Sequence, residues 1–109
     1  MDYSPAAVRS ISVDELQERL KNSAPFLLDV REVEEMADGT IDGSVNIPMG
    51  QVEQRLDEIP TDREIVVICH LGARSGYITK RLNALGYERA MNLRGGMEAW
   101  LAESSRAND

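Results

Sequence analysis

The residues best suited to chemistry lie in one stretch, Cys69-His70-Leu71-Gly72-Ala73-Arg74-Ser75, directly after the apolar run Ile65-Val66-Val67-Ile68. Cys69 is the only cysteine of the chain. A short glycine-containing loop that curls around a cysteine turns its backbone N–H groups inward, and such a nest of amides binds anions. A helix starting just beyond it adds the positive end of its dipole. Both effects favour thiolate over thiol. The expectation is therefore a solvent-reachable Cys69 with a pKa below the ~8.5 of free cysteine. The amides of His70, Leu71, Gly72, Ala73, Arg74 and Ser75 would be its donors. Arg74 adds a permanent charge on a planar fork suited to an oxyanion. The competing reading is structural, because a lone cysteine after an apolar strand is often a small buried hydrophobe. The loop glycine, Arg74 and the helix beyond favour the chemical reading.

Other candidates carry less. His70 is the sole histidine, but neighbouring side chains in a turn diverge, so a rim position fits it better than a general base. Arg31 follows the end of a predicted strand; it fits either the wall of the same crevice or a salt bridge that holds a loop, and the residues leave both open. Glu32, Glu34, Glu35 and Asp38 read as a solvated face, and Met97, Trp100 and Leu101 as core. No cluster of ligating residues points to a metal, and no cofactor is implied.

These residues need a scaffold. Ser12-Val13-Asp14-Glu15 has the pattern of a capping box opening a helix, with Val13, Leu16 and Leu20 on one face. Pro25 to Val30 reads as a buried strand, and Arg31 to Ala37 as one acidic helical turn stopped near Gly39. Ser44 to Ile47 forms a second strand ended by Pro48, and Met49, Val52, Leu56 and Ile59 have helical spacing closed by Pro60. Ile65 to Ile68 is the clearest strand, four β-branched residues buried on both faces. A helix follows from about Ser75 to Leu85, lined by Ile78, Leu82 and Leu85, with Gly86 at its left-handed cap. Ala90 to Leu93 is a last strand. Gly95-Gly96 then opens a helix in which Met97, Trp100 and Leu101 point one way. Repeated β-then-α order means an α/β fold with a mainly parallel sheet and helices on both faces. Ligands of such sheets gather at the carboxyl ends of the strands, where Cys69 stands.

The chain has 109 residues, 42% of them hydrophobic and 28% charged. That suffices for one compact domain burying roughly two-thirds of its unfolded surface. The polar ends, Met1–Ala7 and Glu103–Asp109, are expected to fray. A net charge of −7, with no basic run longer than Lys80-Arg81, argues against nucleic-acid and anionic-membrane partners. No transmembrane or signal-peptide pattern is found, and one cysteine cannot form an intrachain disulfide; a cytoplasmic location is the expectation.

Four segments together resemble the single-domain rhodanese family over roughly Arg9 to Ala102. Asp29-Val30-Arg31-Glu32 is similar to the family's strand-end motif, and Gly39-Thr40-Ile41-Asp42-Gly43-Ser44-Val45-Asn46-Ile47-Pro48 to its second signature. Cys69 to Arg74 resembles the six-residue active loop, and Leu93-Arg94-Gly95-Gly96 with Trp100 the closing motif. Thr40, Ser44 and Val33 stand where the family commonly has histidine, alanine and proline. The resemblance implies an α/β rhodanese-like fold around a five-stranded, mostly parallel sheet. It also implies thiosulfate sulfurtransferase activity: Cys69 takes the outer sulfur of thiosulfate or a similar donor as a persulfide, and cyanide or a thiol removes it. Arg74 and the loop amides would bind the donor. Glutathione, thioredoxin or a protein sulfur acceptor are the candidate recipients.

Rival chemistries fit less well. Cysteine-based phosphatases and arsenate reductases also set Cys and Arg around amides. The phosphatases, however, have five residues between them, wide enough for a tetrahedral phosphate, and here there are four. An alcohol leaving a phosphate ester also needs a general acid, and the loop holds no carboxylate. A thioredoxin-like role lacks a second cysteine. A sulfur carrier or regulatory module serving a protein partner, without turnover, remains the alternative of a different class.

Overall fold

The computed structural model describes residues 8–107, with side chains described for residues 8–104. Its centre is a five-stranded sheet in the order β1-β5-β4-β2-β3. The strands are β1 (Ser10–Ile11), β2 (Phe26–Asp29), β3 (Val45–Asn46), β4 (Ile65–Ile68) and β5 (Ala90–Leu93). Every neighbouring pair runs parallel. The helices are α1 (Val13–Asn22), α2 (Ala73–Ala84) and α3 (Gly96–Ala107).

The apolar pattern of β4 explains the layering. Side chains alternate across a strand, so Ile65 and Val67 enter one core with Ile78 and Leu82 of α2. Val66 and Ile68 enter the other with Leu16 of α1 and Met97 of α3. All four strand residues are buried, and a central parallel strand covered on both faces has no polar side to display. Cys69 emerges from this strand at the carboxyl edge of the sheet.

Several expected elements form as read. At α1, the Ser12 hydroxyl accepts from the Glu15 amide (3.1 Å) and the Glu15 carboxylate from the Ser12 amide (2.9 Å). Others differ. Strand β1 was not legible, because two residues carry no period; only pairing of Ser10 and Ile11 with Asn92 and Leu93 makes it a strand. The apolar spacing from Met49 to Ile59 is realised as two 3₁₀ helices, Met49–Gln51 and Glu53–Glu58, interrupted at Arg55. Leu85 lies past the last turn of α2 and is 39% exposed, so it is not core. Leu101, also expected inside, packs over the Gly39 turn and is 41% exposed. Helix α3 runs on through Glu103 to Ala107, past the expected end of the core near Ala102, and no glycine or proline stops it. The expectation for Met1–Ala7 and for residues 108–109 lies outside the described residues.

Where β2 ends, Asp29 and Arg31 form a buried ion pair. Arg31 Nη2 donates to Asp29 Oδ2 at 2.8 Å and Nε to Oδ1 at 3.0 Å. The rest of the guanidinium serves the next turn, a 3₁₀ helix at Val33–Asp38: Nη1 donates to the Glu35 carbonyl (3.2 Å) and Nη2 to that of Gly39 (2.8 Å). Asn46 Nδ2 of β3 reaches the carbonyls of both Asp29 and Arg31 at 2.9 Å. Removing one partner of such a pair strands a buried charge. Arg31→Ala is therefore expected to cost about 3–5 kcal/mol of stability, read as a lowered denaturant midpoint. A loss under about 1 kcal/mol would show that Asp29 is not dependent on Arg31.

Candidate active site

The loop after β4 closes around the Cys69 sulfur. Gly72 N–H donates to Sγ at 3.1 Å, Ser75 N–H at 3.3 Å and the Ser75 hydroxyl at 3.2 Å. Of the six amides expected to ring the sulfur, these two lie within hydrogen-bond reach. Gly72 stands before α2 with φ 111°, a left-handed conformation that favours glycine. A glycine at this position has no side chain to cap the helix. The sulfur supplies the acceptor instead, satisfying an N-terminal amide of α2 that the helix itself leaves open. Helix α2 also begins two residues earlier than its apolar face indicates, which brings Ser75 into its first turn.

The loop carbonyls are held away from the sulfur. Those of Cys69 and His70 accept from Met97 N–H (2.8 Å) and Glu98 N–H (3.0 Å), at the start of α3. The Gly72 carbonyl accepts from Asn92 Nδ2 at 3.1 Å. Gly96 is packed so tightly that an added Cβ would lie 2.4 Å from the Cys69 carbonyl oxygen. The missing side chain of Gly96 is thus what lets α3 approach the loop.

Burial alone would push the Cys69 thiol up. Hydrogen bonds from the Ser75 hydroxyl and from the Ser75 and Gly72 amides, with a smaller contribution from the more distant Leu71 amide, outweigh it, and the net pKa lies below the ordinary thiol value. Access is narrower than expected: Cys69 is 1% exposed, while His70, Leu71 and Ala73 around it are open to solvent.

Two residues of the site were not singled out from sequence. Asn92 on β5 accepts from the Ser75 hydroxyl through Oδ1 while its amide holds Gly72. The hydroxyl has one proton, so at any moment it can donate to the sulfur or to Asn92 but not to both. Glu35, read as solvated, binds Arg74 in a two-pronged ion pair, Nη1–Oε1 2.7 Å and Nη2–Oε2 2.9 Å. That contact, opposed by partial burial and helped by the Glu32 amide, lowers the Glu35 carboxyl to about 2. No local sequence signal marks either residue, since each partner is at least 17 positions away.

Arg74 therefore does not present an empty fork. Arg31, at 1% exposure with its donors on Asp29, Glu35 and Gly39, does not line the loop mouth. Of its two open roles the structure has the loop-holding one. A cavity of about 440 Å³ shares Gly72 and Ala73 with the flank of the loop and is lined further by Tyr77, Asn92 and Arg94, but not by Cys69. Among the described residues, no three His, Cys, Asp or Glu side chains form a metal-binding group.

The hydroxyl contact predicts a pH dependence. Because bonding to the ionised form lowers its pKa, Cys69 should be alkylated by iodoacetamide with a midpoint below that of a free thiol. Ser75→Ala should move the midpoint upward and slow alkylation at pH 7 by about threefold to tenfold. An unshifted midpoint would show that the hydroxyl does not serve the thiolate.

Comparison with known proteins agrees with this geometry. Residues 12–103 match the family model described as Rhodanese-like domain. A protein named sulfurtransferase from Allochromatium vinosum is 40% identical over 94 residues, covering 85% of this chain and 88% of its own. The human thiosulfate:glutathione sulfurtransferase is 32% identical, with 92% and 99% covered. The crystal structure of a rhodanese-related protein from Thermoplasma volcanium superposes with a TM-score of 0.81 at 35% identity, covering 87% of this chain and 92% of that one. The chain belongs to the rhodanese-like sulfurtransferase family.

Proposed function

We propose that this protein moves a sulfane sulfur from thiosulfate or a similar donor to cyanide or a thiol through a persulfide on Cys69. The observation that carries the reading is the thiol itself, held by two amides and a hydroxyl at a helix N-terminus. In the first step the Cys69 thiolate attacks the outer sulfur of thiosulfate, the new S–S bond forms, and the donor's S–S bond breaks with its electron pair on sulfite. The outer sulfur keeps its negative charge, now as the persulfide anion, and the charge of the thiolate is carried off on sulfite. A thiolate acceptor then attacks that sulfur, and the Cys69 thiolate leaves; cyanide would leave as thiocyanate. Sulfite departs as a stable anion, so no general acid is required.

The narrow access supports the same reading. A cysteine this deeply set is met by a projecting terminal atom, and the sulfane sulfur of thiosulfate or a persulfide is one. An oxyanion ringed by substituents is not, and with Glu35 on the Arg74 fork phosphate-ester chemistry fits poorly. The name of the human relative makes glutathione a reasonable acceptor; thioredoxin or a protein client would use the same displacement. One unpaired cysteine suits a reducing compartment such as the cytoplasm.

Incubation with thiosulfate should add one sulfur atom to the intact protein, read by mass spectrometry, and Cys69→Ser should abolish the gain. Labelling that persists in the variant would refute the assignment. Arg74→Ala should leave the Glu35 carboxylate unopposed beside the loop. We expect a clear rise in KM for thiosulfate with little change in melting temperature, because the pair is partly solvated. Unchanged kinetics would show that the Arg74 charge is not used.

A further inference from the structure

The cation nearest in sequence to the reacting sulfur, Arg74, is paired with an internal anion. Both Nη groups of Arg74 bind the two oxygens of Glu35. The carboxylate is not a stray surface group that happens to reach across. Its Oε1 also accepts from the Glu32 N–H at 2.9 Å, and the Glu35 carbonyl is held by the buried Arg31. To clear the Arg74 fork, Glu35 would have to break the ion pair and uncap its own turn. The same turn exposes Glu32, Glu34 and Asp38, and the whole chain carries −7. Beside the sulfur the loop thus offers an incoming donor dipoles from the amides while the charge of Arg74 is cancelled; the other cations of that flank, Lys80 and Arg94, line the adjacent cavity, which Cys69 does not join.

We infer that Glu35 is a specificity-determining residue: by neutralising Arg74 beside the Cys69 loop, it tunes the site toward sulfane-sulfur donors of low charge, such as organic persulfides and polysulfides, over the thiosulfate dianion. The inference rests on the sulfur-transfer reading and deepens it. A donor must approach a thiolate, so each negative charge it carries is opposed by Cys69 as well as by the acidic turn. An uncancelled guanidinium would offset that repulsion; a neutralised one does so only weakly. The same amide ring still binds the terminal sulfur, which is common to all these donors.

Two donors separate charge from chemistry. Thiosulfate carries two negative charges, and methanethiosulfonate, in which a methyl group replaces one oxygen, carries one. Each gives its terminal sulfur to the Cys69 thiolate and leaves as sulfite or methanesulfinate, with no other reactant. Wild-type protein should have the higher kcat/KM with methanethiosulfonate. Glu35→Gln keeps an oxygen for the Glu32 amide and removes the charge; it should raise the thiosulfate-to-methanethiosulfonate ratio of kcat/KM by about fivefold to tenfold, chiefly through KM for thiosulfate. A ratio that is unchanged or falls would overturn the inference and leave Glu35 as a scaffold for Arg74.

The wild-type protein supplies a second measurement that does not depend on the variant folding. Salt screens repulsion, so the same ratio should rise as ionic strength is raised; a fall would mean that the mouth attracts dianions and would equally overturn the inference. Sulfur uptake from both donors with no charge preference would defeat only the role of Glu35. Uptake from neither would defeat sulfur transfer itself.

Discussion

Everything at this site depends on which way a few peptide groups face. A peptide plane cannot turn its N–H and C=O to the same side, so amides aimed at the sulfur require the opposite polar groups to be satisfied elsewhere. Several loop carbonyls are taken up on its outer side: the start of α3 takes those of Cys69 and His70, and Asn92 Nδ2 together with the Gly76 N–H of α2 takes that of Gly72. The sulfur in turn completes α2, whose first turn has a glycine where a capping side chain would stand. Activation of the cysteine and capping of the helix are one interaction seen from two ends.

A second chain of contacts comes from the other side of the loop. The buried pair Asp29–Arg31 fixes the turn at Val33–Asp38 through its carbonyls. That turn aims Glu35, and Glu35 holds Arg74. A charge pair sealed in the core thereby sets the electrostatics of an open loop one turn away. The strand-end arginine and the loop arginine have different jobs. One is a structural cation withdrawn from solvent, and the other is a partly solvated cation whose field is trimmed by a carboxylate.

The two halves act on different distance scales. Amide and hydroxyl dipoles act only on an atom inside the ring, whereas the Arg74–Glu35 pair acts on a charged molecule before it arrives. An acidic protein can therefore keep an ionised thiol without presenting a broadly attractive surface to anions.

Much of this was readable in the chain itself. The run Ile65 to Ile68, apolar at every position, could only be a central strand, and it delivered Cys69 to the carboxyl edge of the sheet. Ser12 with Glu15 marked the start of α1, and Gly86 marked the left-handed residue that follows α2. These are local signals, written in period and in backbone preference over a few neighbouring residues. Strand β1, the ion pair of Glu35 with Arg74, the role of Asn92, and the exposure of Leu85 and Leu101 were not legible. Each depends on a partner or a packing face contributed from elsewhere in the chain. Residue types and spacing determined that a lone cysteine would stand in a loop between a buried strand and a helix. Only tertiary packing decided which donors reach its sulfur and which arginine stays near it, because hydrogen bonds and charge pairs answer to distance in space rather than along the sequence.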